Sequence, residues 1–238
     1  MIGLAIDTST DQLSVAAIHD GRVAERSAVG ARRHAALLGP LVAGALGELG
    51  IEIGEVTDIA LADGPGSFTG LRVGAAWVKG VSHGGQVRVW TASTLLVRAV
   101  AADGAGVVAS LGSALRGEFY LAVYRLDRAN PIQTLLAPTV VAGGADLGLA
   151  LVPDAVVSDL PVGQWEGFGW AKSSRKIGPP EGLPTASALL RLVGRSGGAR
   201  PVPDLAAWEP DYGRPAEAQA RWEKVHGRVL ADSTSHPR

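Results

Sequence analysis

Apolar and polar positions are grouped from the first residues. Residues 2–6 and 13–18 are apolar runs separated by the polar stretch Asp7-Thr8-Ser9-Thr10-Asp11-Gln12, and Asp20-Gly21 follows as a tight-hairpin pair. The pattern predicts three antiparallel strands at the N-terminus. From Arg32 the apolar spacing changes to threes and fours, with Leu37, Leu38, Leu41, Val42, Ala45, Leu46 and Leu49, and Gly50 closes the long helix this predicts. Pro40 withdraws one backbone donor, which predicts a kink or restart near Gly39. Residues 57–62 read as a buried strand running into a glycine-rich loop, Gly64 to Gly70, and a second helix follows over 71–83. A strand at 87–90 and a helix capped within Thr91-Ala92-Ser93, reaching Ala101, complete a strand and helix alternation of the α/β class.

Asp103-Gly104-Ala105-Gly106 interrupts the pattern, and strands at 107–111 and 118–125 open a second unit much as the first began. We therefore expect a first lobe at 1–103, a smaller second lobe at 104–217 and a C-terminal tail at 218–238. Beyond residue 130 the pattern thins to apolar pieces at 138–142 and 155–157 and a helix over 185–195, with Pro179, Pro180 and Pro184 in loops. A short helix is expected within 216–238.

Composition narrows what these elements can do. Hydrophobic residues make up 47% of the 238 positions and aromatics only 5%, beside 32 glycines, so the core must be built from Ala, Val and Leu with close backbone approach. Net charge is −1, with 8 basic and 9 acidic residues in the first hundred and 14 of each thereafter, which disfavours autonomous RNA binding. Lys172, Arg175 and Lys176 remain as a small patch able to touch RNA at the edge of a complex. The absence of cysteine removes disulfides, thiolate metal sites and thiol nucleophiles together. The first residues carry no basic region and meet Asp7 early, and no charge-free stretch reaches the ~20 apolar residues of a membrane span. A cytoplasmic protein that does not enter the membrane is expected.

The sharpest motif is Gly64-Pro65-Gly66-Ser67-Phe68-Thr69-Gly70-Leu71-Arg72-Val73-Gly74. A glycine loop feeding a helix N-terminus presents backbone N–H groups suited to phosphate. The motif lacks the Gly-Lys-Ser/Thr ending of a P-loop, the spacing of a dinucleotide fingerprint and the glycines of a nucleophile elbow, and on local physics alone a structural turn is the favoured reading. His34 heads the first helix with Leu38, not a ligand, one turn on, so no metal site is expected. Small residues recur every fourth place at Ala35, Gly39, Ala43 and Gly47, and again at Gly70 and Gly74 or Ala76 and Gly80. They fit tight packing on the chain's own sheet or a helix interface with a partner. Asp7 and Thr8 after the first strand suit magnesium and phosphate, but the matching second-lobe turn, 111–117, carries no acid.

The Gly64 to Gly74 motif resembles that of the TsaB family, the dimerisation subunit of the bacterial tRNA threonylcarbamoyladenosine machinery. The resemblance extends to residues 4–10, His34, Arg116-Gly117-Glu118 with Tyr120, and Pro210, Tyr212, Arg214 and Pro215. Departures fall at Ser113 and Leu115, where the family often has an aspartate and an arginine, and at Gly213 in place of an apolar residue. The resemblance implies a two-lobed actin/Hsp70/sugar-kinase-like fold (ASKHA, RNase H-like) with mixed sheets flanked by helices. It also implies a non-catalytic scaffold that binds and stabilises TsaD, the paralogue that carries an HxxxH metal pair and transfers the threonylcarbamoyl group. TsaC supplies the adenylate donor and TsaE joins through the complex. On this reading the chain binds no cofactor alone, ATP and metal belong to the partner subunits, tRNA is met indirectly, and a homodimer forms when TsaD is absent.

The expected interface lies on the helices at 33–49 and 71–83. It comprises Arg33, His34, Leu37, Leu38, Leu41, Ala45, Phe68, Leu71, Arg72, Gly74, Ala75 and Val78, with Gly64, Pro65, Gly66, Ser67, Thr69 and Gly70 as the loop that sets the second helix. Leu41→Asp or Gly74→Trp should then abolish the complex while the monomer folds. The alternative is a small-molecule kinase or ATPase of the same fold acting alone through Asp7, Thr8 and the glycine loop.

Overall fold

The computed structural model describes residues 2–30, 33–83, 87–114, 116–127, 130–145 and 152–213. Leu115, Arg214, Pro215 and the tail at 218–238, with the helix expected there, lie outside the described residues.

The first strands are β1 (Gly3–Asp7), β2 (Gln12–His19) and β3 (Arg22–Val29), an antiparallel meander. Asp20 and Gly21 both take positive φ, 48° and 76°, as the two-residue hairpin requires. Helix α1 (His34–Leu49) leads to β4 (Asp58–Ala62), and α2 (Phe68–Ser82) leads to β5 (Arg88–Ala92). The expected restart in α1 does not occur. Pro40 sits on the solvent face, where water can serve the Ala36 carbonyl that loses its donor, so the helix runs through. Gly50 closes α1 with φ 72°.

Helix α3 (Thr94–Ala99) precedes a second meander, β6 (Gly106–Ser113), β7 (Glu118–Leu126) and β8 (Gln133–Ala142). Then come β9 (Ala155–Ser158), β10 (Arg175–Ile177), α4 (Ala186–Leu190) and β11 (Arg200–Pro201). The helix expected over 185–195 is shorter, ending in turns after Leu190, and β10, β11 and the first half of β8 were not anticipated.

The two sheets repeat one topology. The first runs β11-β5-β4-β1-β2-β3 and the second β10-β9-β6-β7-β8, each a three-stranded meander with two parallel strands added beside its first strand, and the short β11 extends the first sheet antiparallel to β5. Strand alternation divides the apolar side chains into three layers. Leu4, Ile6, Leu13, Val15, Ile59 and Leu61 face α1 and α2 on the outside of the first sheet. The centre of the opposite face is alanine (Ala5, Ala16, Ala60, Ala62 and Ala92), and it packs with α3, α4 and the inner face of the second sheet in one core. The outer face of the second sheet is covered by the segment holding Trp165, Phe168 and Ala171.

The helices between the sheets are exchanged. The chain reaches α3 from the first sheet, yet α3 packs on β6, β7 and β9; it reaches α4 from the second, yet α4 packs on β1 and β2. Alanine on the first sheet's inner face is what lets α4 approach so closely. After α4 the chain returns to the first sheet, where Arg200 pairs with Thr91, and it then runs on to Tyr212 and Gly213, which meet Tyr120 of the second sheet.

Candidate functional site

The glycine loop begins where β4 ends. Asp63 N donates to the Ala92 carbonyl at 3.0 Å, Ser67 N to the Ser9 carbonyl at 2.7 Å, and Ser67 Oγ accepts from Gly70 N at 3.2 Å, capping α2. A Cβ at Gly64 would collide with the Asp211 carbonyl, at Gly66 with that of Ser9 and at Gly70 with that of Thr8. At Gly74 it would lie 2.6 Å from Thr8 Oγ1 and 2.9 Å from Leu61 Cδ1. The motif glycines therefore seat the loop and the first turns of α2 on the Thr8-Ser9 turn. Two loop N–H groups that an anion would need, those of Ser67 and Gly70, are already committed within the chain. This geometry favours the structural turn over the phosphate cradle.

The C-terminal strap completes the site. Asp211 N donates to the Asp63 carbonyl at 2.7 Å, and Tyr120 Oη donates to the Tyr212 carbonyl at 3.3 Å. The Tyr212 ring lies 4.7 Å from that of Phe68, and the Arg72 guanidinium sits 4.3 Å above Phe68. Gly213 has φ 68°, and a Cβ there would be 2.6 Å from both Pro65 and Tyr120, so an apolar side chain would not fit this conformation. Residues scattered through the sequence, the loop, Tyr120 and Tyr212, thus form one cluster at the N-terminal end of α2.

The expected interface divides on burial. His34, Leu38, Ala45, Leu71, Gly74, Ala75 and Val78 are buried and face the first sheet or the Thr8 turn, so these expectations are corrected: in this fold they are core. His34 does not cap α1, and its Nε2 is buried with no partner among the described residues. Arg33, Phe68 and Arg72 are exposed, and Leu37 and Leu41 half-buried. Gly74→Trp would break the fold rather than an interface. The outer face of α1 consists instead of Ala35, Ala36, Gly39, Pro40, Ala43, Gly44 and Gly47, and it contains the stripe of small residues at Ala35, Gly39, Ala43 and Gly47. A Cβ added at Gly39 or Gly47 meets nothing within 4 Å. The charged Glu48 at the end of this face pairs with Arg26 on β3. Lys172, Arg175 and Lys176 are exposed along the β10 edge of the second sheet, with Lys176 3.8 Å from Glu166.

Asp7 is fully buried at the end of β1. Its Oδ1 accepts from Ser9 N at 2.9 Å and Ser9 Oγ at 2.6 Å, while Oδ2 has no partner among the described residues. Burial pushes its pKa up, the Ser9 hydrogen bonds and the Arg98 charge pull it back, and Asp159 adds to the rise. Asp63 is also raised by burial, against the opposing pull of Arg200, whose Nη2 lies 2.8 Å away. Thr8 turns its hydroxyl toward Gly74, and that oxygen is likewise buried without a partner. Among the described residues no three His, Asp or Glu side chains converge on a metal-sized site, and no helix is long and apolar enough to cross a membrane.

Two duplicated three-plus-two sheets enclosing exchanged helices define an α/β protein of the actin/Hsp70/sugar-kinase type. The sequence model of the family described as "TsaD: tRNA N6-adenosine threonylcarbamoyltransferase" matches residues 24–149, more than half of the chain. The chain is 33% identical over 146 residues to the tRNA threonylcarbamoyladenosine biosynthesis protein TsaB of Escherichia coli strain K12, covering 58% of this chain and 63% of that one. It is 26% identical over 241 residues to the protein of the same name from Bacillus subtilis strain 168, covering 92% and 96%. The solved structure of YeaZ from Pseudomonas aeruginosa superposes with a TM-score of 0.67 at 29% identity, over 81% of this chain and 90% of that one. The chain belongs to the TsaB family. The match to the Escherichia coli relative spans less than two thirds of that protein's length.

Proposed function

We propose that the chain is a non-catalytic subunit of tRNA N6-threonylcarbamoyladenosine synthesis, a scaffold that binds and stabilises a TsaD-type partner. The names of its relatives support the pathway. One observation carries the scaffold reading: the outer face of α1 is a continuous surface of small, uncharged residues whose glycines the chain's own packing does not require. Such a face admits a second helix at the short end of the 8–10 Å range of interhelical distances. The Phe68, Arg72 and Tyr212 cluster at the head of α2 has the aromatic and arginine composition of an interface anchor.

TsaE joins through that complex, tRNA is met through the partners, ATP and metal are used by the partner subunits, and a second copy of the chain covers the face when TsaD is absent. The enzyme-alone alternative gains no support from the loop, where the Ser67 and Gly70 N–H groups are spent internally. The test is co-elution with the TsaD paralogue of the same organism. Ala43→Arg, on the outer face, should abolish co-elution with the circular dichroism spectrum unchanged; a variant that still co-elutes would remove α1 from the interface.

A further inference from the structure

Strand alternation sends Asp7 on β1 and Ser110 and Gly112 on β6 into the space between the sheets, the side that also holds Ala5 and Val108. Thr94 and Arg98, one turn apart on α3, share a helix face, and Asp159 follows β9. Arg98 is 2% exposed. Its Nη1 donates to the Leu111 carbonyl at 2.8 Å and its Nη2 lies 2.9 Å from Asp159 Oδ2. A Cβ at Gly112, next to last in β6, would stand 2.9 Å from Nη1 and press on the guanidinium. The space between Asp7 and residues 111–113, where two halves of a nucleotide site would have to meet, is occupied by the chain's own cation.

A buried ion pair of this kind adds little net stability, because desolvation offsets the attraction, and is better explained by what it holds in place. Arg98 anchors α3 to the second sheet. The N-terminus of the same helix is fixed to the first, through Thr94 N on the Gly64 carbonyl at 2.8 Å. Asp7 Oδ2, Thr94 Oγ1, Arg98 Nε, Ser110 Oγ and Asp159 Oδ1 are buried with no partner among the described residues, a polar seam between the two halves that apolar packing does not close.

We infer that Arg98, held by Asp159 and the Leu111 carbonyl, is a latch between the two sheets that fills the cleft from within and fixes their relative angle without a ligand. The inference stands independently of TsaD docking, which concerns the opposite face of the first sheet. The absence of cysteine makes the test clean. Spin labels on Glu52→Cys and Gln133→Cys, both exposed, report the distance between the halves.

The wild-type latch should give one narrow distance distribution that Mg-ATP does not change. Arg98→Met should broaden it about twofold, with Asp159→Asn and Gly112→Ala broadening it less. In the unlabelled wild-type chain, the Arg98 Nε–H should exchange with solvent at least about tenfold more slowly than that of exposed Arg88. Folded variants with the wild-type distribution, an Arg98 Nε–H exchanging as fast as that of Arg88, or a distribution shifted by Mg-ATP would each overturn the latch. Should a substitution prevent folding, the exchange comparison in the wild-type chain decides.

Discussion

A methyl group added at Gly70 would run into the Thr8 carbonyl, whereas one added at Gly39 meets no atom within 4 Å. The same residue type therefore does opposite work in the two helices. Gly70→Ala should destabilise the chain by about 1–3 kcal/mol through overpacking. Gly39→Ala should stabilise it by about 0.5–1 kcal/mol, because the helix gains propensity and the unfolded chain loses freedom. Urea midpoints of the two variants check this, and effects of equal sign would contradict the division. The motif spacing was legible in the sequence; which glycines are spent internally was not, since the atoms they avoid belong to Thr8, Ser9 and Asp211, brought there only by the fold. Arg98 was likewise invisible, lying in an apolar helix with nothing nearby to mark its partner.

Asp7 gives a prediction at the same scale. Burial raises its folded pKa above the ordinary carboxylate value of 3.8, so its protonated form is favoured in the native state. Its contribution is complete below 3.8 and is lost as pH rises through the folded value. Asp7→Asn keeps an acceptor for Ser9 and cannot ionise, so stability relative to wild type should shift in favour of the variant as pH rises from about 4 to about 7. A constant difference across that range would show that Asp7 is not held in its neutral form.

Among the elements, the long periodic ones were readable and the short ones were not. α1 and α2 declare themselves through leucine and valine spacing, and β1, β2 and β4 through apolar runs bounded by Asp7, Asp20 and Gly64. β10 and β11 have three and two residues, too few for any period, and exist because a neighbouring strand offers an open edge. The first half of β8 alternates weakly because most of the strand is exposed, and Pro138 is tolerated on that edge. α2 also starts three residues before its apolar pattern, at Phe68, because Ser67 caps it. Ser67→Ala should therefore cost about 1 kcal/mol and fray the turn that carries Phe68 and Arg72. Hydrogen exchange at the start of α2 reads this directly, and unchanged protection there would remove the cap from the account.

At the scale of the molecule, the sequence showed that a second unit begins as the first did, but not that each unit's last helix lies on the other's sheet. The alanine face of the first sheet was the available clue, since Ala5, Ala16, Ala60, Ala62 and Ala92 alternate with larger residues on the outer side. Alanine on a sheet face signals that something bulky comes close, without saying what. With the inner face closed by exchanged helices and the cleft filled by Arg98, the docking surface we propose lies on the outer face of α1 and the head of α2. The proposed role therefore rests on docking. The most direct measurement reconstitutes threonylcarbamoyl transfer to tRNA with the TsaD paralogue and its accessory subunits, with this chain, with Ala43→Arg, and without either. Transfer that requires the wild-type chain and is lost with Ala43→Arg is the predicted result; transfer that proceeds equally without the chain would contradict the scaffold role.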